Sequence, residues 1–148
     1  MFTDKGLLFL NHNYSLNAMA KIKYIIDYPM KSVPVALLWN YISTPNGLKL
    51  WFADEVMHEG KKFTFVWSGA GQDATLLGIR TYSYVRFRWN NESDKADKTY
   101  FELRIQVSEL TDTTNLVVTD FSELDEVEES KILWNSQIES LKRILGCL

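Results

Sequence analysis

Residues 126 to 145 read Glu-Val-Glu-Glu-Ser-Lys-Ile-Leu-Trp-Asn-Ser-Gln-Ile-Glu-Ser-Leu-Lys-Arg-Ile-Leu, and this stretch decides the fold. Val127, Trp134, Ile138, Leu141 and Leu145 recur at the spacing that lines one side of an α-helix, and Ile132, Leu133 and Ile144 broaden the stripe. Asp125 is the candidate N-cap with Glu128 as its capping-box partner, while Glu126, Glu128 and Glu129 place negative charge at the positive end of the dipole. Lys142 and Arg143 suit the last turn, and Gly146 suits the left-handed position beyond it. A helix of this length runs about 30 Å, enough to cross a small sheet with its apolar side turned inward.

The rest of the chain supplies the surface that such a helix needs. Residues 21 to 28, Lys-Ile-Lys-Tyr-Ile-Ile-Asp-Tyr, read as a first strand ended by Pro29. Ser32 is a candidate cap for a helix with Pro34 in its first turn, and Val35, Leu38, Trp39 and Ile42 follow at helical spacing. Thr44 and Pro45 then open a second, short helix, Asn46 to Trp51. From Phe52 to Phe121 the period changes to two. Phe63, Phe65 and Trp67 share one face of a strand; Val85, Phe87 and Trp89 oppose Tyr84, Arg86 and Arg88; Phe101, Leu103, Ile105 and Val107 oppose Tyr100, Glu102, Arg104 and Gln106. Turns fall at Glu59-Gly60, Ser68-Gly69-Ala70-Gly71 and Thr111 to Thr114, a charged loop at Asn90 to Lys98, and the last strand carries Val117 and Phe121. The expected fold is α+β: about seven antiparallel strands in a curved sheet wrapped around the C-terminal helix, with two short helices between strands one and two.

The chain of 148 residues is sized for one domain, and its eight Phe, seven Tyr and five Trp predict an interior rich in rings. A net charge of -3 argues against a nucleic-acid partner. The single cysteine, Cys147, cannot form an internal disulfide, which suits a reducing, cytoplasmic setting. No apolar run is long enough for a membrane span. The Leu7 to Leu10 run and Ala18-Met19-Ala20 superficially echo a signal peptide, but Asn11, His12 and Asn13 cut the run short. Residues 1 to 18 read as a flexible extension and 19 to 148 as the folded domain, with Met1 and Met19 both open as the start.

Chemistry-bearing patterns are sparse. His12, His58 and Cys147 lie too far apart in sequence for a metal-ligand spacing, so no metal site is expected. Gly69-x-Gly71 lacks a third glycine and a following helix, and no G-x-S-x-G elbow is present, so no phosphate cradle, cofactor or catalytic nucleophile is expected. Asp54, Glu55 and Glu59 beside His58 would serve acid-base work only if they faced a cavity; a solvated hairpin rim is the plainer reading. Arg86, Arg88 and Arg104 beside Glu102 suit cross-strand ion pairing rather than anion binding. The rings Trp51, Phe63, Phe65, Trp67, Phe87, Trp89, Phe101 and Trp134, with Ile138, are the candidate ligand-binding set, although rings facing a helix also serve as plain core.

The element order resembles the helix-grip fold of the START-like superfamily, the polyketide cyclase, lipid-transport and Bet v-like proteins. Leu38-Trp39-Asn40-Tyr41-Ile42-Ser43-Thr44-Pro45-Asn46-Gly47-Leu48, leading to Trp51-Phe52-Ala53-Asp54, resembles the branch of the activator of the heat-shock chaperone ATPase. Phe87-Arg88-Trp89, Thr119-Asp120-Phe121 and Leu133-Trp134 are similar to small START-like proteins of unassigned function. The resemblance covers residues 20 to 146 and speaks for fold more than for function. It implies a cavity between the last helix and the concave sheet that accepts a hydrophobic or amphipathic small molecule without catalysis. It leaves open a chaperone-cofactor or protein-interaction module, a cyclase- or hydrolase-like enzyme using Asp54 or Glu55, and a homodimer.

Overall fold

The computed structural model describes residues 20–148; the expected extension at residues 1 to 18 lies outside the described residues. The period-two segments become β1 (Ile22–Pro29), β2 (Glu55–Glu59), β3 (Lys62–Trp67), β4 (Ala70–Arg80), β5 (Tyr84–Trp89), β6 (Phe101–Ser108) and β7 (Thr113–Ser122). They form one antiparallel sheet in the order β1-β7-β6-β5-β4-β3-β2. Each hairpin joins neighbours, and only β1 crosses to pair with β7. The β3–β4 turn holds Ser68 at φ 49 and Gly69 at φ 81, the doubly left-handed two-residue loop that matches strand twist.

Between β1 and β2 run α1 (Val35–Ser43) and α2 (Pro45–Lys49). Thr44 caps α2, its hydroxyl accepting from Gly47 N at 2.9 Å, with Pro45 at the first position as expected. Ser32 does not cap α1: the helix starts after Pro34 with no side-chain cap. The charged loop contains a one-turn helix, α3 (Glu92–Ala96), capped by the Asn91 side chain.

The last helix, α4 (Val127–Leu145), begins after a 3₁₀ turn, Leu124–Glu126, and not from an Asp125 capping box. That turn closes with a backbone bond from Glu126 N to Glu123 O at 2.9 Å, so the tighter coil takes the place of the side-chain cap. Gly146 ends the helix at φ 73, as its position predicts. Trp134, Ile138 and Leu141 are buried against the sheet, but Ile132 and Ile144 face outward, and the polar Ser130 and Gln137 lie inside in their place.

Register fixes which side chains meet α4. Tyr24 pairs with Asp120 and Tyr28 with Leu116, so Leu116, Val118 and Asp120 share the face of the two buried tyrosines. Val117 and Phe121, which the sequence reading placed on the last strand, therefore lie on the other side. Among the described residues no helix is long and apolar enough to cross a membrane.

Candidate functional site

Alternation on β3, β5 and β6 sends Phe63, Phe65, Trp67, Phe87, Trp89 and Phe101 to the concave face, and all are buried together with Trp51, Trp134 and Ile138. Eight of these nine candidates are rings in one contact network. Phe87 and Trp89 stack on Phe101 at 5.2 and 5.1 Å, and Phe65 meets Phe87, Trp89 and Phe101 edge-on at 5.6 to 6.3 Å. Trp134 reaches Phe101 from α4 at 6.2 Å.

Phe52 was not among the expected residues, yet it is the hub. It packs on Trp51, Phe65, Trp67, Phe101 and Trp134 with centroids 5.1 to 5.7 Å apart. Its carbonyl accepts from Trp67 Nε1 and from Gln137 Nε2, both at 2.9 Å, tying helix to sheet. Its place beside Trp51 was the available signal.

Two polar features enter this apolar interior. Asp120 accepts from Trp134 Nε1 at 2.8 Å and from the Tyr24 hydroxyl at 3.4 Å, and that hydroxyl also bonds Ser130. Burial, with Asp120 beside it, pushes the Tyr24 hydroxyl above the ordinary tyrosine range, so it stays protonated at neutral pH. Gln137 is the second feature. Its nitrogen is used on Phe52, but its Oε1 is buried without a hydrogen-bond partner among the described residues. A buried acceptor left unpaired costs about 1–3 kcal/mol, so such an atom calls for an explanation.

The carboxylates weighed for acid-base work do not face the interior. Asp54 is exposed and accepts from Ser68 N at 2.7 Å, and exposed Glu55 pairs with Lys49 at 3.3 Å. Glu59 is exposed, as is His58, which stacks on Phe63 at 5.2 Å. Glu123, Asp125 and Glu126 bring ligand atoms within 4.8 Å of one another, where the start of α4 already favours negative charge.

On the convex face, Arg86 and Arg104 both bond Glu102, at 2.8 and 3.1 Å through Nη2. Arg86 lies 4.3 Å over Tyr100 and Arg104 4.4 Å over Tyr84, so the buried carboxylate sits among two cations and two rings. The expected ion pairing is present; Arg88 instead donates to Thr99 O at 2.9 Å. Burial alone would raise the Glu102 carboxyl, but the bonds and charge of Arg104 and Arg86 outweigh it and hold it below the usual 4.5. A depressed folded value means the stabilisation is complete above about pH 4.5 and lost as pH falls through the folded value. Glu102→Gln is therefore expected to lower the urea midpoint at pH 7 and to flatten its decline between pH 5 and pH 2.5.

A surface groove of about 280 Å³ lies where α1 meets α2, lined by Leu37, Asn40, Tyr41, Thr44, Asn46, Gly47 and Leu50. Leu37 and Leu50 are 41% and 57% exposed there, more than apolar residues with a core role would be. It was not anticipated, because it arises from the packing of two helices.

A family model described as START-like superfamily domain matches residues 18–147. The solution structure of BfR322 from Bacteroides fragilis is 40% identical, covering 88% of this chain and 95% of that one, with a TM-score of 0.61. The Aha1 dimer from Colwellia psychrerythraea is 19% identical over 86% of this chain and 96% of its own, with a TM-score of 0.67. CalU16 from Micromonospora echinospora is 18% identical over 84% and 76%, with a TM-score of 0.66. The last two speak for the fold alone. No curated protein matches the sequence.

Proposed function

This chain belongs to the START-like superfamily, and from that premise we propose that it is a non-catalytic binding module that holds a hydrophobic or amphipathic small molecule between α4 and the concave sheet. The observation that carries the reading is Gln137 Oε1, a buried acceptor without a partner among the described residues, within the ring-lined grip. A ligand with an apolar body and one hydrogen-bond donor answers both features: the body lies among Trp51, Phe63, Phe65, Trp67, Phe87, Trp89, Phe101, Trp134 and Ile138, and the donor meets Gln137. The rings already touch, so binding requires them to part, and the measured affinity is reduced by the population of the open form.

Native mass spectrometry of the purified protein is expected to show a bound apolar species, and N-phenyl-1-naphthylamine, which has an apolar body and one N–H, is expected to bind saturably. Gln137→Leu removes the acceptor and should weaken that dye by roughly tenfold, the worth of one buried hydrogen bond. Absence of both a bound species and dye binding would sink the reading.

A second reading is a protein-interaction module, favoured by the exposed Leu37 and Leu50 along the α1–α2 groove. Its partner would be a chaperone, as the branch resemblance suggests, or a second copy, as in the dimeric Aha1 structure. Here Leu37→Glu with Leu50→Glu would abolish association and leave dye binding intact.

A further inference from the structure

Resting on the interior-site reading, we propose that residues 90 to 99 form a locally opening gate over one end of the ring core, latched to the start of β1 by the pair Lys21–Asp94. The segment links β5 to β6 and contains α3. From Asp94 to Thr99 only those two side chains are buried, and both are polar; Lys95, Ala96, Asp97 and Lys98 are exposed. No apolar anchor is thus found among them, and a segment with few buried apolar contacts sits at the low end of local opening free energies.

The segment is tied to itself. Asn91 Oδ1 accepts from Asp94 N at 2.8 Å, Asn91 Nδ2 donates to the Asp94 carboxylate, and Thr99 Oγ1 donates to Asp94 Oδ1 at 2.9 Å. It can therefore move as one piece. Its ends are fixed: Asn90 N donates to Asp73 O and Arg88 Nε to Thr99 O, both at 2.9 Å. Lys98, at φ 54, holds the backbone near one end in the left-handed region.

Among the described side chains of residues 93 to 96, the only ion pair or hydrogen bond to a distant part of the chain is Lys21 Nζ to Asp94 Oδ1, with side chains 2% and 7% exposed. Removing one partner of such a pair strands the other charge out of water, whereas replacing both by apolar groups is neutral or stabilising. The latch is thus releasable in a way that an apolar anchor is not. Beneath it lies a cavity of about 10 Å³, room for one water, walled in part by Gln72, Trp89 and Asp120. Trp89 contacts Phe65, Trp67 and Phe101, and Asp120 holds Trp134, so lifting the gate uncovers the end of the ring stack.

The test compares the full chain with Lys21→Met, which removes the latch and leaves the bonds of Asp94 to Asn91 and Thr99 in place, and with Lys21→Arg, which keeps a cation there, using amide hydrogen exchange and the uptake rate of N-phenyl-1-naphthylamine. Lys21→Met is expected to raise exchange across residues 90 to 99 by roughly tenfold or more, leave β7 and α4 unchanged, and speed uptake. Lys21→Arg should keep both near the values of the full chain. The proposal is overturned if exchange in 90 to 99 does not respond, if β7 and α4 rise equally, or if exchange rises while the rate of an otherwise normal uptake stays fixed. Local opening with no dye bound by any chain counts for the gate and against the interior site, so the two failures separate.

Discussion

Trp134→Ala is expected to cost about 3–5 kcal/mol of folding free energy, read as a fall in the urea midpoint, because three losses coincide at one fully buried side chain. The ring stacks on Phe52 at 5.7 Å and contacts Phe101 at 6.2 Å, so its removal opens a space that neither neighbour can fill without leaving the other rings. Its Nε1 donates to Asp120 at 2.8 Å, so a buried carboxylate also loses a donor. The contact moreover joins α4 to the sheet, and a domain with only about 5–15 kcal/mol to lose gives up a large share of it. Trp134→Phe separates these parts: it keeps most of the stacking and removes only the N–H, for an expected loss of about 1–3 kcal/mol. Equal losses in the two variants would mean that the rings relax around the gap, and that Phe52 and Phe101 are not held in place by their other neighbours.

Gly47→Ala should be nearly as damaging, at about 3 kcal/mol or more, although it adds a single methyl group. An added Cβ would sit 2.0 Å from Asn40 O and 2.7 Å from Tyr41 Cα, and both of these are backbone atoms of α1. A side chain could rotate away; a helix backbone cannot. The α1–α2 corner would have to open, which displaces the Thr44 cap and the Trp51 indole that donates to Tyr41 O at 2.8 Å. Gly60→Ala is the control. Nothing lies within 4 Å of its added Cβ, so only the left-handed φ of 60 is penalised, at about 1 kcal/mol. A thermal melt in which Gly47→Ala loses no more than Gly60→Ala would refute the close-approach argument.

The parts of the fold that were legible in the sequence are those where several local signals agree. Stripe, terminal charges and the Gly146 stop located α4 to within a residue, and clean alternation on β5 and β6 identified their inner faces. Alternation failed on β7, where Leu116-Val117-Val118 is apolar at both parities and leaves the register undecided. The consequence was material, because the correct parity turns Asp120 inward. Ser130 and Gln137 were missed for a related reason: an apolar stripe says nothing about the polar residues that a partner carbonyl or hydroxyl can bury. The single turn of α3 is too short for periodicity, and its only advance signal was Asn91 three residues before Asp94. The ring set was read from alternation, but the role of Phe52 depends on a chain path between α2 and β2 that no period encodes.

The pairing of β1 with β7 bears on synthesis as well as on stability. Ile22 lies opposite Ser122, so the first strand emerges from the ribosome about a hundred residues before the strand it must join. Until then β1, with Tyr24, Ile26 and Tyr28 on one face, is an unmatched apolar ribbon, while the β2–β6 hairpins can close with near neighbours as they appear. Completion of the sheet and docking of α4 therefore fall together once β7 and α4 have emerged, and the nascent chain depends until then on whatever shields its first strand.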